Sequence, residues 1–437
     1  MEKLSVMISF PKEKRWLCYR IFMYLFIFFI IPQNIAAEEV IKKGDSLNLN
    51  KCLDIALKKH PQIIAAMNSL DVFKSKVGQS KADYYPQIKW NSDLSRNALP
   101  GNAPVSNEYS SSVSLNQNIF DFNRRGTQVD IQNLNLDSSR ADLNDVMSKI
   151  TLGVKQAYYE LLRSQRTRDI TAETVKQFEK HLETAKGFFK VGVKPKFDVT
   201  KAEVDLSNAR LNLLKAENAV RIALVTMNNA MGMPDAPPYD VEDDVAYQKS
   251  ALDLGESLRK AYIARPDLQS LLLKKEAAQR ALELAKKDYF PVLSGKAGYG
   301  WSGDGLPLQS GWNVGATLDL NLFTGYSTKY KMDEALANLV VLRANEEERR
   351  QTIRLEVEQS YTNLQEVPKR ISTAEMTLRQ AEENLDLAQG RYNAGIGNPL
   401  EVTDALVAQS NAKTALFGEL YDYKIAEAKL EKAMGGN

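Results

Sequence analysis

The feature that most restricts what this chain can fold into is that it contains itself twice. Sliding the sequence along itself by 203–205 residues makes one landmark after another coincide. His60-Pro61-Gln62-Ile63 falls on Arg265-Pro266-Asp267-Leu268, and Tyr84-Tyr85-Pro86 falls on Tyr289-Phe290-Pro291. Further on, Ile119-Phe120 meets Leu322-Phe323, Gln156-Ala157-Tyr158 meets Gln359-Ser360-Tyr361, and Met231-Gly232 meets Met434-Gly435. From Phe120 onward the offset holds at 203. A period this long is the duplication of a whole domain rather than a short solenoid repeat, so one architecture must be built twice.

Each copy reads in the same order. A helix starts near Ser46 or Leu254 and runs to a Tyr-x-Pro signal; two alternating segments follow, then a long helix, a Gly-containing turn and a second long helix. This divides the chain into a leader (1–37), a first repeat (38–232), a linker (233–253) and a second repeat (254–437). In the leader, Lys3, Lys12, Lys14, Arg15 and Arg20 precede an apolar run from Ile21 to Ile31, and Ile35-Ala36-Ala37 offers a small residue for cleavage. That run is about half of the ~20 residues a membrane-spanning helix needs, so the expectation is a cleaved secretory signal. The linker carries Pro234, Pro237, Pro238 and the acidic run Glu242-Asp243-Asp244 and reads as polar.

The alternating segments have one apolar and one polar face. Ile88, Trp90 and Leu94 alternate with Gln87, Lys89, Asn91 and Asp93, and Val113, Leu115 and Ile119 with Ser112, Ser114, Asn116 and Asn118. In the second copy Trp312, Val314, Ala316, Leu318, Leu320 and Leu322 alternate with Asn313, Gly315, Thr317, Asp319 and Asn321, while Leu293, Ala297, Tyr299 and Trp301 form the apolar side of a partner strand. This fits transmembrane strands with lipid on one face and water on the other. An ordinary half-exposed hairpin has the same alternation. Open sheet edges are not tolerated in a bilayer, where each unpaired backbone group costs several kcal/mol, and four strands fall short of the roughly eight in the smallest membrane barrels. If these strands enter a membrane, the chain must oligomerise.

The helical text is equally constraining. Between about Ser327 and Tyr392 there is one proline, and Ile371, Ala374, Leu378, Ala381, Leu385, Ala388 and Tyr392 step by three and four. Val175, Phe178, Leu182, Ala185 and Phe189 repeat the step in the first copy. Such a narrow seam packs against another long helix, and some 65 residues at 1.5 Å each extend about 100 Å. Pro368, whose counterpart is Gln165, is expected to kink the second copy alone.

Composition excludes several functions. The chain holds 57 Lys+Arg and 55 Asp+Glu; the leader takes five of the first and two of the second, leaving 52 against 53. That balance lacks the basic footprint of a nucleic-acid binder. Cys18 belongs to the leader, so Cys52 has no partner for an intrachain disulfide and reads as a small residue of a helix. Residues 298–303, Gly-Tyr-Gly-Trp-Ser-Gly, formally match a dinucleotide fingerprint but precede Asp304-Gly305-Leu306-Pro307 rather than a helix, and read as a loop. Neither His60 nor His181 has metal-ligand spacing to another His or Cys, and no nucleophile–base pair is legible, so no enzyme, cofactor or metal site is expected.

The duplicated order of Tyr-x-Pro signal, strand pair, long helix, Gly turn and acid-bearing helix resembles the TolC-like outer-membrane efflux protein family over essentially the whole mature chain. The resemblance implies a mainly α fold with a membrane β-barrel portion, three chains sharing a 12-stranded barrel above a 12-helix periplasmic α-barrel. It implies a passive exit duct of a tripartite efflux or type I secretion system. The implied partners are two further copies of the chain, outer-membrane lipid, a periplasmic adaptor and an inner-membrane pump of the RND, ABC or MFS type. A periplasmic adaptor protein is the alternative, since it too has a long hairpin behind an N-terminal apolar segment; adaptors carry one hairpin, whereas this chain has two.

Family tips close like an iris with acidic side chains at the narrowest point, and the matching positions are Asp198, Glu401 and Asp404. Glu401 and Asp404 are i,i+3 and share a helix face. Asn398-Pro399-x-Glu401 is also a helix start, with an N-cap, a first-turn proline and an N3 acid, which needs no gate to explain it. Lys201 stands where the second copy has Asp404, and Gly397 where some family members carry Arg, so Lys194, Lys196 or Lys201 are alternative partners for a neighbour's acid. Val191-Gly192-Val193 and Ala394-Gly395-Ile396 match the tips where adaptors dock, making Gly192, Val193, Gly395 and Ile396 docking candidates; glycine's access to positive φ accounts for a tight helical turn in any case.

Overall fold

The computed structural model describes residues 41–97, 106–243 and 253–436. The leader (1–37) and the linker's residues 244–252 lie outside the described residues.

In the first repeat, β1 (Ser46–Leu47) leads into α1 (Leu49–Lys59) and α2 (Pro61–Ala82), then β2 (Gln87–Asn97) and β3 (Ser106–Phe120), the long α3 (Arg124–Lys190) and α4 (Lys196–Ala230). After β4 (Asp240–Val241), the second repeat supplies α5 (Leu254–Ala264), α6 (Pro266–Lys286), β5 (Val292–Gly303), β6 (Gln309–Asp319), α7 (Ser327–Asn393) and α8 (Pro399–Ala433). The offset of 203 holds at both ends of both long helices: α3 and α7 each have 67 residues, α4 and α8 each have 35. No described helix is both long and apolar enough to cross a membrane.

Where the sequence suggested one helix before each Tyr-x-Pro signal, there are two. Pro61 and Pro266 push the preceding residue out of the helical region, so His60 (φ −66°, ψ 125°) and Arg265 (φ −67°, ψ 121°) are extended and the chain turns there. The last turn of each repeat packs on its own break. Gly232 (φ +72°) lies so close to His60 that a Cβ would stand 2.7 Å from its Cα, and Gly435 (φ +83°) would place one 2.7 Å from the carbonyl carbon of Ala264. The Met-Gly landmark therefore recurs because only glycine fits both the dihedral and the approach.

The strands form one sheet in the order β2-β3-β5-β6, antiparallel throughout. The two repeats are thus joined through β3 and β5. Register sets the faces: Trp90, Val113, Tyr299 and Trp312 are directly paired along one rung, and Ile88, Leu115, Ala297 and Val314 along the next. Side-chain alternation puts these on one face and Lys89, Ser114, Gly298 and Asn313 on the other. The apolar face is bare, with Trp90 71%, Trp312 77% and Val314 74% exposed, and β2 and β6 are unpaired on their outer edges. The Gly-rich segment 298–303 belongs to β5 and not to a loop, so it binds no pyrophosphate through a helix N-terminus.

The helices pack in hairpins, α3 with α4 and α7 with α8, while α6 lies between α3 and α7. Two related clusters form the middle of the molecule: Val154, Leu161 and Met227 in the first repeat, Val357, Leu364 and Leu430 at the same offset in the second. Burying each such side chain contributes about 1.5–3 kcal/mol. A third cluster nearer the tip joins Val175, Phe178 and Leu206 to Leu385, Tyr392 and Leu406. The expected seam is buried at Ile371, Ala381, Leu385, Ala388 and Tyr392, whereas Phe189 is exposed and Phe188 turns inward to meet the Tyr392 ring edge-on at 5.6 Å. Helix α7 continues through Pro368 without ending.

The beginning of the linker is packed rather than loose. β4 pairs in parallel with β1, Tyr239 is buried and donates to Asn228 Oδ1 at 2.7 Å, and Tyr421 donates to Asp243 Oδ2 at 3.0 Å. Cys52 is fully buried in α1, and burial pushes its thiol up to about 12.

Candidate gate at the helical tip

Both hairpins end in the same turn. In the first, Gly192 (φ +76°) donates to Phe189 O and Val193 donates to Phe188 O at 2.9 Å; in the second, Gly395 (φ +80°) donates to Tyr392 O and Ile396 to Arg391 O at 3.1 Å. These satisfy the last carbonyls of α3 and α7. The apolar residues of the turns remain in solvent, Val191 at 71% exposure, Val193 56% and Ile396 76%, as does Phe197 at the start of α4 with 63%.

The three acids named from the sequence occupy different surroundings. Glu401 and Asp404 are exposed on one face of α8, and Glu401 Oε2 lies 3.5 Å from Arg391 Nε. Asn398 caps α8 by accepting from Leu400 N at 3.0 Å, so capping falls to it and Glu401 remains available. Asp198, in the first turn of α4, is buried at 4% exposure inside the protomer and is not brought together with the other two. Its Oδ2, His181 Nε2 and Tyr392 Oη are buried without hydrogen-bond partners. His181 and Tyr392 pack with ring centroids 5.1 Å apart. Burial holds the His181 pKa below its ordinary value against the opposing charges of Asp205 and Asp198. Burial, then the Asp198 charge, raises the Tyr392 phenol.

Lysines tie the tip together. Lys194 Nζ donates to Gly397 O at 3.0 Å, joining the first hairpin's turn to the second's, and lies 5.5 Å from the centre of the Tyr392 ring. Lys201 pairs with Asp205 at 2.5 Å, and Thr403 Oγ1 donates to the other Asp205 oxygen at 2.9 Å. Lys196 is exposed. Gly397 leaves no room for a side chain: a Cβ would stand 2.6 Å from the Tyr392 backbone nitrogen. Within this chain, then, the contact at that turn is made to its backbone carbonyl by a lysine from the other hairpin.

Asp205, Thr403 and the His181–Tyr392 contact were not singled out from the sequence. The i,i+4 spacing of Lys201 and Asp205 was the one available signal, and it is common on solvent-facing helices. Among the described residues, no group of three or more His, Cys, Asp and Glu side chains is placed to hold a metal ion.

The profile of the family described as outer membrane efflux protein matches residues 52–233 and 257–436, one segment in each repeat, and the chain belongs to that family. It is an outer-membrane efflux channel of the TolC type, with its helical part in the periplasm. It is 25% identical over 390 residues to the probable efflux pump outer membrane protein TtgC of Pseudomonas putida, covering 85% of this chain and 79% of that one. With TolC of Escherichia coli it shares 22% over 415 residues, covering 89% and 82%. The solved structure of CusC superposes with a TM-score of 0.81 at 19% identity, covering 93% of this chain and 97% of that one. The two-hairpin fold and the family match do not favour the adaptor alternative.

Proposed function

We propose that three copies of this chain close one continuous passage, a 12-stranded barrel in the outer membrane on a 12-helix barrel in the periplasm, that serves as the exit duct for an inner-membrane pump. The observation that carries this is the four-stranded sheet, with Ile88, Trp90, Val113, Tyr299, Trp312 and Val314 exposed on one face and its two outer edges unpaired. An even strand number lets β6 of one chain meet β2 of the next antiparallel. Two chains would give eight strands, whose interior side chains fill it; three give twelve and leave a lumen.

The duplication supports the same closure. Helix α6 has α3 on one side and α7 on the other, whereas its first-repeat equivalent α2 packs on the short α1 and on α3, with no second long helix beside it among the described residues. Its free flank shows Ile64, Met67 and Val72, and α7 shows Leu336, Val340 and Val341, all exposed. The α3–α6 contact inside the chain is the template for an α7–α2 contact between chains.

At the tip, the exposed Val193 and Ile396 suit docking to a periplasmic adaptor, and Glu401 with Asp404 suits a ring of carboxylates facing the passage. The unpartnered polar atoms of Asp198, His181 and Tyr392 each carry a desolvation cost of about 1–3 kcal/mol, which water would relieve when the hairpins part. The efflux naming of TtgC favours efflux as the task, and the pump behind the adaptor would be of the RND, ABC or MFS type. Purified protein in planar bilayers tests the reading. Glu401→Gln with Asp404→Asn should reduce cation over anion permeability severalfold at low salt, where carboxylate fields are least screened. Unchanged reversal potentials would remove these acids from the passage.

A further inference from the structure

We propose that Lys89 and Lys296 form a positively charged band in the wall of the barrel that favours anionic over cationic cargo. This rests on the duct reading, because it takes the sheet's polar face as the lumen.

The band is set by register. Lys89 pairs with Ser114, which pairs with Gly298, itself opposite Asn313; on the adjacent same-face rung, Gln87 pairs with Asn116, Asn116 with Lys296, and Lys296 with Gly315. The two lysines are the charged residues of these rungs, and the next rung outward, Asn91, Ser112, Gly300 and Gly311, is neutral. Two residues along and two strands across place the lysines about 12 Å apart. Neither Lys89 nor Lys296 has a carboxylate within ion-pair distance among the described residues, and both are exposed. The nearest acids in register are Asp93, four residues along β2 from Lys89, and Asp319, four residues beyond Gly315 on β6, about 13 and 14 Å from their lysines. That exceeds the ~8 Å screening length at physiological ionic strength, so these acids leave the ammonium charges uncompensated.

The surroundings let these charges act on what passes. Lys296 is flanked on its face by Gly298 and by Gly315, where an added Cβ would meet nothing within 4 Å. On the Gly315 side its four-carbon stem therefore meets no side chain, while Asn116 across β3 and Asn313 over Gly298 are short, neutral neighbours, and the ammonium group stays exposed. Repeated by three chains, the band would hold six ammonium groups around one short stretch of the lumen, the arrangement by which charged rings select anions. The carboxylates proposed for the tip lie at the other end of the passage, so cargo would meet fields of opposite sign in series.

Thiol labelling from the outer face tests this without needing the periplasmic tip to open. Lys89→Cys is made in intact outer membranes and modified with anionic and cationic water-soluble methanethiosulfonates; buried Cys52 leaves the parent protein as the blank. The anionic-to-cationic rate ratio at position 89 is expected to fall about threefold at about 0.01 M salt when Lys296→Gln is added, and the difference to vanish near 1 M salt. A ratio unmoved by Lys296→Gln overturns the band while leaving the duct intact. Trp90→Cys, on the opposite face, is the control for the duct itself: if it reacts as fast as Lys89→Cys, the facing of the sheet is wrong and the band falls with it.

Discussion

Replacing Arg265 by leucine is expected to lower the stability of the folded chain by about 3–5 kcal/mol, seen as a fall in the midpoint of thermal loss of helical circular dichroism. Arg265 is only 3% exposed and stands at the break before α6. It donates to Asp267 at 2.7 and 3.0 Å, to Glu356 of α7 at 2.5 Å, and to Ala433 O at the end of α8. One guanidinium thus pins the start, middle and end of the second repeat. Removing it leaves two partly buried carboxylates facing each other's neighbourhood, which is why the loss exceeds that of a surface pair. Lys432 near Glu356 and Arg349 near Asp267 soften the loss without replacing the buried bonds.

The same network fixes a pH dependence. Burial alone would raise Asp267 and Glu356, but the hydrogen bonds and charge of Arg265 overcome it and hold both carboxyls below their ordinary values. Their contribution is therefore full above the unfolded carboxylate range near 4 and is lost as pH falls through the lower folded values. In Arg265→Leu, burial is less opposed, so this acid-side loss should shrink. An unchanged acid profile in the variant would mean the network does not act as described. At the corresponding place in the first repeat, His60 only accepts from Gln62 N at 3.2 Å, so His60→Ala should cost about 1 kcal/mol, the ordinary value for a cap.

The second large effect concerns the sheet. Val314→Arg is expected to destabilise assembly in the membrane by about 2–4 kcal/mol per chain, because the side chain lies on the apolar face opposite Ala297. Asn313→Arg, one residue earlier and on the other face, should be nearly neutral. The readout is the fraction of protein migrating as an oligomer on unheated gels after extraction from outer membranes. Equal losses for the two substitutions would mean that the two faces see the same solvent, which a duct wall cannot allow.

Much of this fold was legible because the duplication supplied two readings of each element. Strand alternation was clear where both faces were consistent, as from Trp312 to Leu318, and it placed every apolar residue of that stretch correctly. The ends of the long helices followed from Gly192 and Gly395. Pairing of β3 with β5 was not legible, since alternation fixes faces and says nothing about which strand lies beside which. The break at Arg265 was marked by its proline, but the ion network was not, because Glu356 and Ala433 lie far along the chain. At the tip the acids were visible as residue types, whereas the burial of Asp198 depends on Tyr392 and His181 arriving from two other helices. Two acids on equivalent turns, Asp198 and Glu401, thus have different surroundings for reasons no local pattern carries.

The proposed closure requires sister chains to repeat, across their boundary, the contact that the two halves make within one chain. Inside the chain Ser138 of α3 and Ser270 of α6 touch, with their hydroxyl oxygens 3.0 Å apart. At the repeat offsets their equivalents are Val341 of α7 and Ala65 of α2, both exposed. Oxidation of the Ala65→Cys, Val341→Cys double variant in membranes should give a disulfide ladder that stops at three chains, with Cys52 buried and silent. A chain that stays monomeric under oxidation, or a ladder that continues past three, would contradict it.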